Sequence, residues 1–256
     1  MIDYVLVSFI DGDAFSIANF LFQDIGEDFR VMESSFKGFR YVYTNNLLFI
    51  HYDNQGNQDV LLLEIKSKGC RSLENTPNYS WKQFFKKISV ITRSLPITRY
   101  NVKRIDVAID SFTSKMLTPD RLRYYFNRKL ISSRWQKIRV IQEFRITSGE
   151  ATGDSVYLGK RSSDFSILVY DKCLESNSNE EMYRTELRFK NSWGQQVLET
   201  ILNDSEDFSN FLESILRKYI QFRSSKSKNQ EIRRRPLAKW YESYLLYVGS
   251  LKLHKL

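Results

Sequence analysis

Eight segments of strand length punctuate the chain, each apolar continuously or at every second position: YVLVSFI (4–10), FRYVYT (39–44), LLFIHY (47–52), VLLLEIKS (60–67), RIDVAIDSF (104–112), SVYLG (155–159), FSILVYDK (165–172) and YRTELRFK (183–190). A repeat of two is the period of a strand with one buried face, and the short gaps between several of these segments suit hairpins. Helical spacing falls between them. Ser80 precedes Trp81, Phe84, Phe85 and Ile88; Thr118 precedes Pro119; and Phe208, Phe211, Leu212, Ile215, Leu216 and Tyr219 form one apolar stripe within DFSNFLESILRKYIQF. A serine or threonine cap, a proline in the first turn and a three-four repeat are the signals of helices laid on a core.

These patterns predict an α+β fold of antiparallel sheets with helices on one face. With 256 residues, 42% of them apolar, the chain has ample material for a core. IDYVLVSFIDGDAF near the start resembles IDVAIDSFTSKML from residue 105, and each is followed by a helix and a group of strands. The echo predicts two similarly built lobes sharing a core: residues 1–100, with strands and a helix over 80–93, and residues 101–256, ending in a basic segment.

Several function classes drop out. No run of 18 apolar residues occurs and the first residues lack a basic stretch, so neither a membrane span nor a secretion signal is expected. Cys70 and Cys173 are the two cysteines, too few for a disulfide framework or a zinc site, and the cytoplasm is the expected location. With only His51 and His254 as histidines, a His-x-His metal site is impossible and a Ser-His-Asp triad would rest on His51 alone. Charge points elsewhere. The net charge is +9, yet residues 1–100 hold 11 Lys+Arg against 11 Asp+Glu, so the whole excess lies after residue 100. A basic half suits a polyanion such as DNA. Between Arg217 and Lys239 nine cations meet one acid, Glu231, and the triplet Arg233, Arg234 and Arg235 is the densest candidate for contact with a DNA backbone.

The same half offers chemistry. In RIDVAID the strand period places Arg104, Asp106, Ala108 and Asp110 on one face, and in YRTELRF it does so for Arg184, Glu186 and Arg188. Asp106, Asp110 and Glu186 on neighbouring strands would supply oxygen ligands to a divalent cation, although the same alternation serves a solvated strand face equally well. In YLGKRSSDFSILVYDK, Tyr170 shares a face with Ser166, Leu168 and Lys172, after a turn rich in phosphate-binding groups: Lys160, Arg161, Ser162 and Ser163. Tyr170 is either a packing tyrosine with a wet hydroxyl or a nucleophile. In the second case its phenol, which ordinarily ionises at about pH 10, needs a nearby cation as it attacks.

The order RIDVAID, YLGKRSSDFSILVYDK, YRTELRFK resembles the trans-acting replication initiators of rolling-circle replication, a family that also holds histidine-free relaxases of integrative conjugative elements and initiators of filamentous phages. LLLEIKSKGCRSLE and RRRPLAKWYESYL are similar to flanking segments of the conjugative-element and phage branch. The resemblance implies a site-specific single-strand DNA endonuclease and strand transferase. Tyr170 would attack a phosphodiester at a replication or transfer origin, presented as a single strand or hairpin, to give a 5′-phosphotyrosyl link and a free 3′ hydroxyl. Asp106, Asp110 and Glu186 would hold Mg2+ or Mn2+. Lys172, Arg161 and Arg184 would neutralise the phosphate, while Lys160, Arg188, Arg233, Arg234 and Arg235 would contact DNA. A host helicase and a second copy of the chain are candidate further partners. One position departs from the pattern: where the family carries an arginine two residues before the tyrosine, this chain has Leu168. Two other readings stay open, a DNA-binding regulator without nicking activity, which Leu168 favours, and a metal-dependent nuclease that uses water.

Overall fold

The computed structural model describes residues 1–23, 28–53, 60–176, 180–203, 208–227 and 229–251. His254 and Lys228 lie outside the described residues. The chain divides into two compact units, one from the described residues of Met1–Val107 and Phe189–Ser205, the other from those of Ala108–Arg188 and Glu206–Lys252.

The first unit begins with β1 (Ile2–Ile10) and α1 (Ala14–Phe22), whose N-cap Asp13 accepts a hydrogen bond from the Ser16 backbone N–H. Strands β2 (Arg30–Glu33), β3 (Tyr41–Thr44), β4 (Leu48–Tyr52) and β5 (Val60–Ile65) follow, then helices α2 (Ser67–Asn75) and α3 (Trp81–Ser94) and the long strand β6 (Arg99–Ser111). Its sheet runs β2-β3-β4-β5-β1-β6. The pairs β2–β3, β3–β4, β4–β5, β5–β1 and β1–β6 are all antiparallel. Val5, Val7, Phe9, Leu63, Ile65, Ile105 and Val107 point to one side of this sheet and are fully buried with Trp81, Phe85, Ile88 and Ile91 of α3. Ser80 caps α3 as its position predicts, accepting from the Gln83 N–H.

In the second unit β6 continues from Ala108, and α4 (Pro119–Asn127), β7 (Ile131–Ser133), β8 (Ile138–Phe144), β9 (Ala151–Leu158), β10 (Phe165–Asp171), α5 (Lys172–Ser176) and β11 (Tyr183–Lys190) follow. The strand order is β6-β11-β10-β9-β8. Here β10–β9 and β8–β9 pair antiparallel. Helix α6 (Ser192–Asn203) belongs to the first unit, where Gly194 leaves room for Val102. The second unit closes with α7 (Phe208–Tyr219), β12 (Ile220–Phe222) and α8 (Lys239–Ser250). The α+β class and the antiparallel sheets are thus as the sequence predicts. All eight predicted strands form, and Thr118 caps α4 by accepting from the Arg121 N–H at 3.1 Å. The predicted helix over 207–222 stops earlier, at Tyr219, because Ile220–Phe222 pair with β7 instead. Among the described residues no helix is long and apolar enough to cross a membrane.

The end of α7 is sealed by a single side chain. Tyr241 of α8 is fully buried, and its hydroxyl donates to the carbonyls of Ile220 at 2.7 Å and Leu216 at 3.3 Å. Burial, with a smaller push from Tyr244, holds its phenol well above the usual value. Tyr241→Phe should therefore cost about 1–2 kcal/mol in urea denaturation at neutral pH, since two carbonyls lose their donor. Above about pH 10 the unfolded chain ionises this tyrosine while the folded protein keeps it protonated, so stability falls as pH rises; the variant should show a shallower fall.

Candidate active site

Strand β10 is buried along Phe165–Tyr170, as a strand with neighbours on both sides and packing on both faces must be. Leu168 and Tyr170 line a cleft of about 280 Å³ together with Ser155, Tyr157, Glu186 and Arg188. Register fixes this grouping, since Tyr170 lies opposite Ser155 and Leu168 opposite Tyr157.

The tyrosine hydroxyl donates to Glu186 Oε1 at 2.9 Å, and both groups are nearly buried. Arg188 holds the other carboxylate oxygen, with Nη2 at 2.7 Å and Nε at 3.1 Å from Oε2. One oxygen of Glu186 therefore serves the phenol while the other is tied to a cation. Burial raises the phenol of Tyr170 well above its ordinary range, the negative charge of Glu186 raises it further, and Arg184 only partly opposes them. At neutral pH the group is a hydrogen-bonded phenol. Lys172 Nζ stands 5.8 Å from the centre of the Tyr170 ring, and it is ion-paired with Glu175.

Arginines surround the next residue along. Arg161 lies over the Tyr157 ring at 5.1 Å and donates to its hydroxyl at 3.1 Å, and the Arg188 guanidinium lies 5.6 Å from the same ring. Because Tyr157 is opposite Leu168, these two guanidiniums gather near the position where the resemblance expects an arginine. Behind Tyr157 a second cleft of about 750 Å³ is lined by Arg134, Trp135, Lys137, Arg139, Lys160 and Arg161, among others. Gly159 makes its wall possible. Its φ of +87° disfavours any side chain, and a Cβ there would stand 2.7 Å from the Trp135 indole nitrogen.

The remaining predicted residues fall elsewhere. Lys172 is the first residue of α5 and so is not on the strand face with Tyr170, because the chain turns there with Asp171 accepting from the Leu174 N–H. Arg184 forms a two-pronged ion pair with Asp110, at 2.6 and 2.8 Å, and both are largely buried. Asp106 belongs to the first unit and is bound by Arg104 through both its oxygens. Asp106, Asp110 and Glu186 each hold an arginine, and among the described residues no group of three His, Cys, Asp or Glu side chains is close enough to hold a metal ion. Arg233 and Arg234 are exposed on a short turn, Arg234 paired with Glu231, and Arg235 donates to the Asn229 carbonyl at 2.6 Å; none of the three lines either cleft. Sequence reading overlooked Arg134, Lys137 and Arg139, whose signal is the cationic spacing in RWQKIR around one tryptophan.

Residues 100–255 match the family described as "Replication initiation factor", and residues 1–87 match "Rolling Circle replication initiation protein N-terminal domain". The chain belongs to the replication initiation factor family of rolling-circle replication. Among individual proteins it is 25% identical over 234 residues to "Putative DNA relaxase NicK" of Bacillus subtilis (strain 168), an alignment that takes in 87% of this chain. The chain spans 64% of that relative's length. It also superimposes on the rolling circle replication initiator protein from Geobacillus stearothermophilus with a TM-score of 0.85 at 24% identity, covering 100% of this chain and 98% of the other. The likeness to that structure establishes the fold.

The Arg184–Asp110 pair yields a test of its own. Arg184→Ala leaves the Asp110 carboxylate in a dry setting without its partner, and should lower stability by about 3 kcal/mol, read from the denaturation midpoint.

Proposed function

We propose that this protein nicks one strand of DNA at an origin by covalent attack of Tyr170, with Glu186 as general base. The hydrogen bond from the Tyr170 hydroxyl to Glu186 Oε1, inside a cleft, carries the reading. As Tyr170 Oη bonds to phosphorus, its proton passes to Glu186 and the bond from phosphorus to the 3′ oxygen breaks. The departing 3′ oxygen takes a proton from solvent. The product is a 5′-phosphotyrosyl link that conserves the phosphodiester for later rejoining.

The other side chains support that step by position. Arg188 fixes the orientation of Glu186, and the ammonium of Lys172 stands over the Tyr170 ring. Arg161 and Arg188 supply positive charge that Leu168 does not. The cleft of Arg134, Lys137, Arg139 and Lys160 is a track for the phosphates flanking the nick. The same fold could bind DNA without cutting it, a reading Leu168 favours, or cut by water; a denaturing gel of protein incubated with single-stranded origin DNA separates them. A covalent adduct supports the tyrosine reaction, cleavage without adduct the hydrolase, and neither the regulator. Activity in EDTA compared with activity in Mg2+ or Mn2+ measures any need for a cation.

Tyr170→Phe should abolish the adduct and leave DNA affinity within about threefold, because only the hydroxyl is lost. Glu186→Gln should slow adduct formation by about 10²-fold or more. With the phenol held protonated and a base beside it, the wild-type rate should stay flat from about pH 8 to 10, whereas attack by a freely ionising phenolate would climb about tenfold per pH unit. A climbing profile would remove Glu186 from its assigned role. Replacing Lys137 and Arg139 by Ala should weaken binding alike for origin and unrelated strands and flatten the salt dependence by about 1 to 2 units.

A further inference from the structure

The first unit carries a second basic groove, of about 730 Å³, that the nicking chemistry does not use. It is lined by five cations, Lys37, Arg99, Lys103, Arg104 and Lys190, and by no carboxylate among its described lining residues. Arg104 is already matched by Asp106. Lys37, Arg99 and Lys103 are exposed, and no ion pair neutralises them among the described residues. The groove lies on the side of β1 opposite its core residues Val5, Val7 and Phe9, so that Tyr4, Leu6 and Ser8 form its floor.

A fault in the strand pairing concentrates the charge. Leu6 pairs with Arg104 and Val7 with Val102, which leaves Lys103 as an extra residue in β6. Such a bulge turns two consecutive side chains to the same side. Arg99, Asn101 and Lys103 before it, and Arg104 after it, consequently face the groove together, while Val102, Ile105 and Val107 stay in the core. At one wall Phe36 sits under the Lys37 ammonium, 5.3 Å from the ring centre. Cations at the rim and an aromatic and aliphatic floor are the two components of a single-strand nucleic-acid site, the first for phosphates and the second for bases.

We propose that this groove binds single-stranded DNA without regard to sequence, as a site distinct from the Tyr170 cleft. The proposal rests on the reading of the protein as a DNA-nicking initiator, but its test does not. Full-length protein with Lys37, Arg99 and Lys103 all changed to Ala would be compared with wild type in binding an oligothymidylate of about 30 nucleotides between about 50 and 200 mM salt. Affinity should fall about tenfold or more at the lower salt, and the slope of log K against log salt should flatten by about 2 units, at roughly 0.7 per phosphate contact in a single strand. Adduct formation on a short oligonucleotide that only spans the nick should stay within about twofold of wild type.

An unchanged slope overturns the proposal, and a loss confined to duplex DNA overturns it in favour of a duplex site. Loss of nothing but the binding of an acidic protein partner does so too. Should the variant unfold, photocrosslinking of wild-type protein to an iododeoxyuridine-substituted strand decides: crosslinks at Tyr4 or Phe36 support the groove, and their absence overturns it. Normal groove-dependent binding with no adduct on any substrate would refute the nicking reaction alone.

Discussion

Glu186 is the group on which the arrangement of the Tyr170 cleft depends. A carboxylate this buried must be satisfied on both oxygens, and it is, by a phenol on one side and a guanidinium on the other. The three partners come from two strands of the second unit, β10 for Tyr170 and β11 for Glu186 and Arg188. Their alignment therefore depends on the register of the sheet and not on a loop. Arg184 and Asp110 make a further buried pair on β11 and β6, so strand β11 carries alternating charges, each satisfied in place. The outcome is a buried phenol kept protonated, with a carboxylate oxygen at hydrogen-bond distance.

A tyrosine hydrogen-bonded to a glutamate is not by itself a reactive site, and the first unit shows why. There the Tyr4 hydroxyl donates to Glu64 at 2.6 Å, and its phenol is likewise pushed up, by burial first and Glu64 second. Yet Glu64 also meets His51 and Lys66, each at 3.4 Å. Burial would raise this carboxylate, but the Tyr4 hydroxyl, the nearby His51 imidazole and the Lys66 ammonium together outweigh it and hold the group below its ordinary value. A carboxylate so heavily stabilised as the anion is a weak proton acceptor, and the Arg104 guanidinium covers the Tyr4 ring at 4.5 Å.

Much of this was legible in the sequence because burial enforces periodicity. The eight strands, the caps Ser80 and Thr118 and the order of the motifs around Tyr170 could all be read directly. Strands β2 and β8 were not, since their residues are mostly exposed and in β8 Ile141 and Gln142 break the alternation of Ile138, Val140 and Phe144. Carboxylate positions were legible but their partners were not: alternation tells which residues share a face, and it says nothing about an arginine two positions away closing on Asp106 or Glu186, or one on another strand closing on Asp110. Asp106, Asp110 and Glu186 each have such an arginine partner, which no strand-face reading gives.

The bulge at Lys103 works on side chains as a frameshift works on codons. Before it, odd-numbered residues of β6 face the groove and even-numbered ones the core; after it the assignment is reversed, so that Arg104 and Asp106 face out while Ile105 and Val107 face in. Removing one residue there would restore an unbroken alternation and could satisfy only one half of the strand, leaving either the valines and isoleucine in water or the charges in the core. The extra residue is thus the point of the chain where length, rather than residue type, is under constraint.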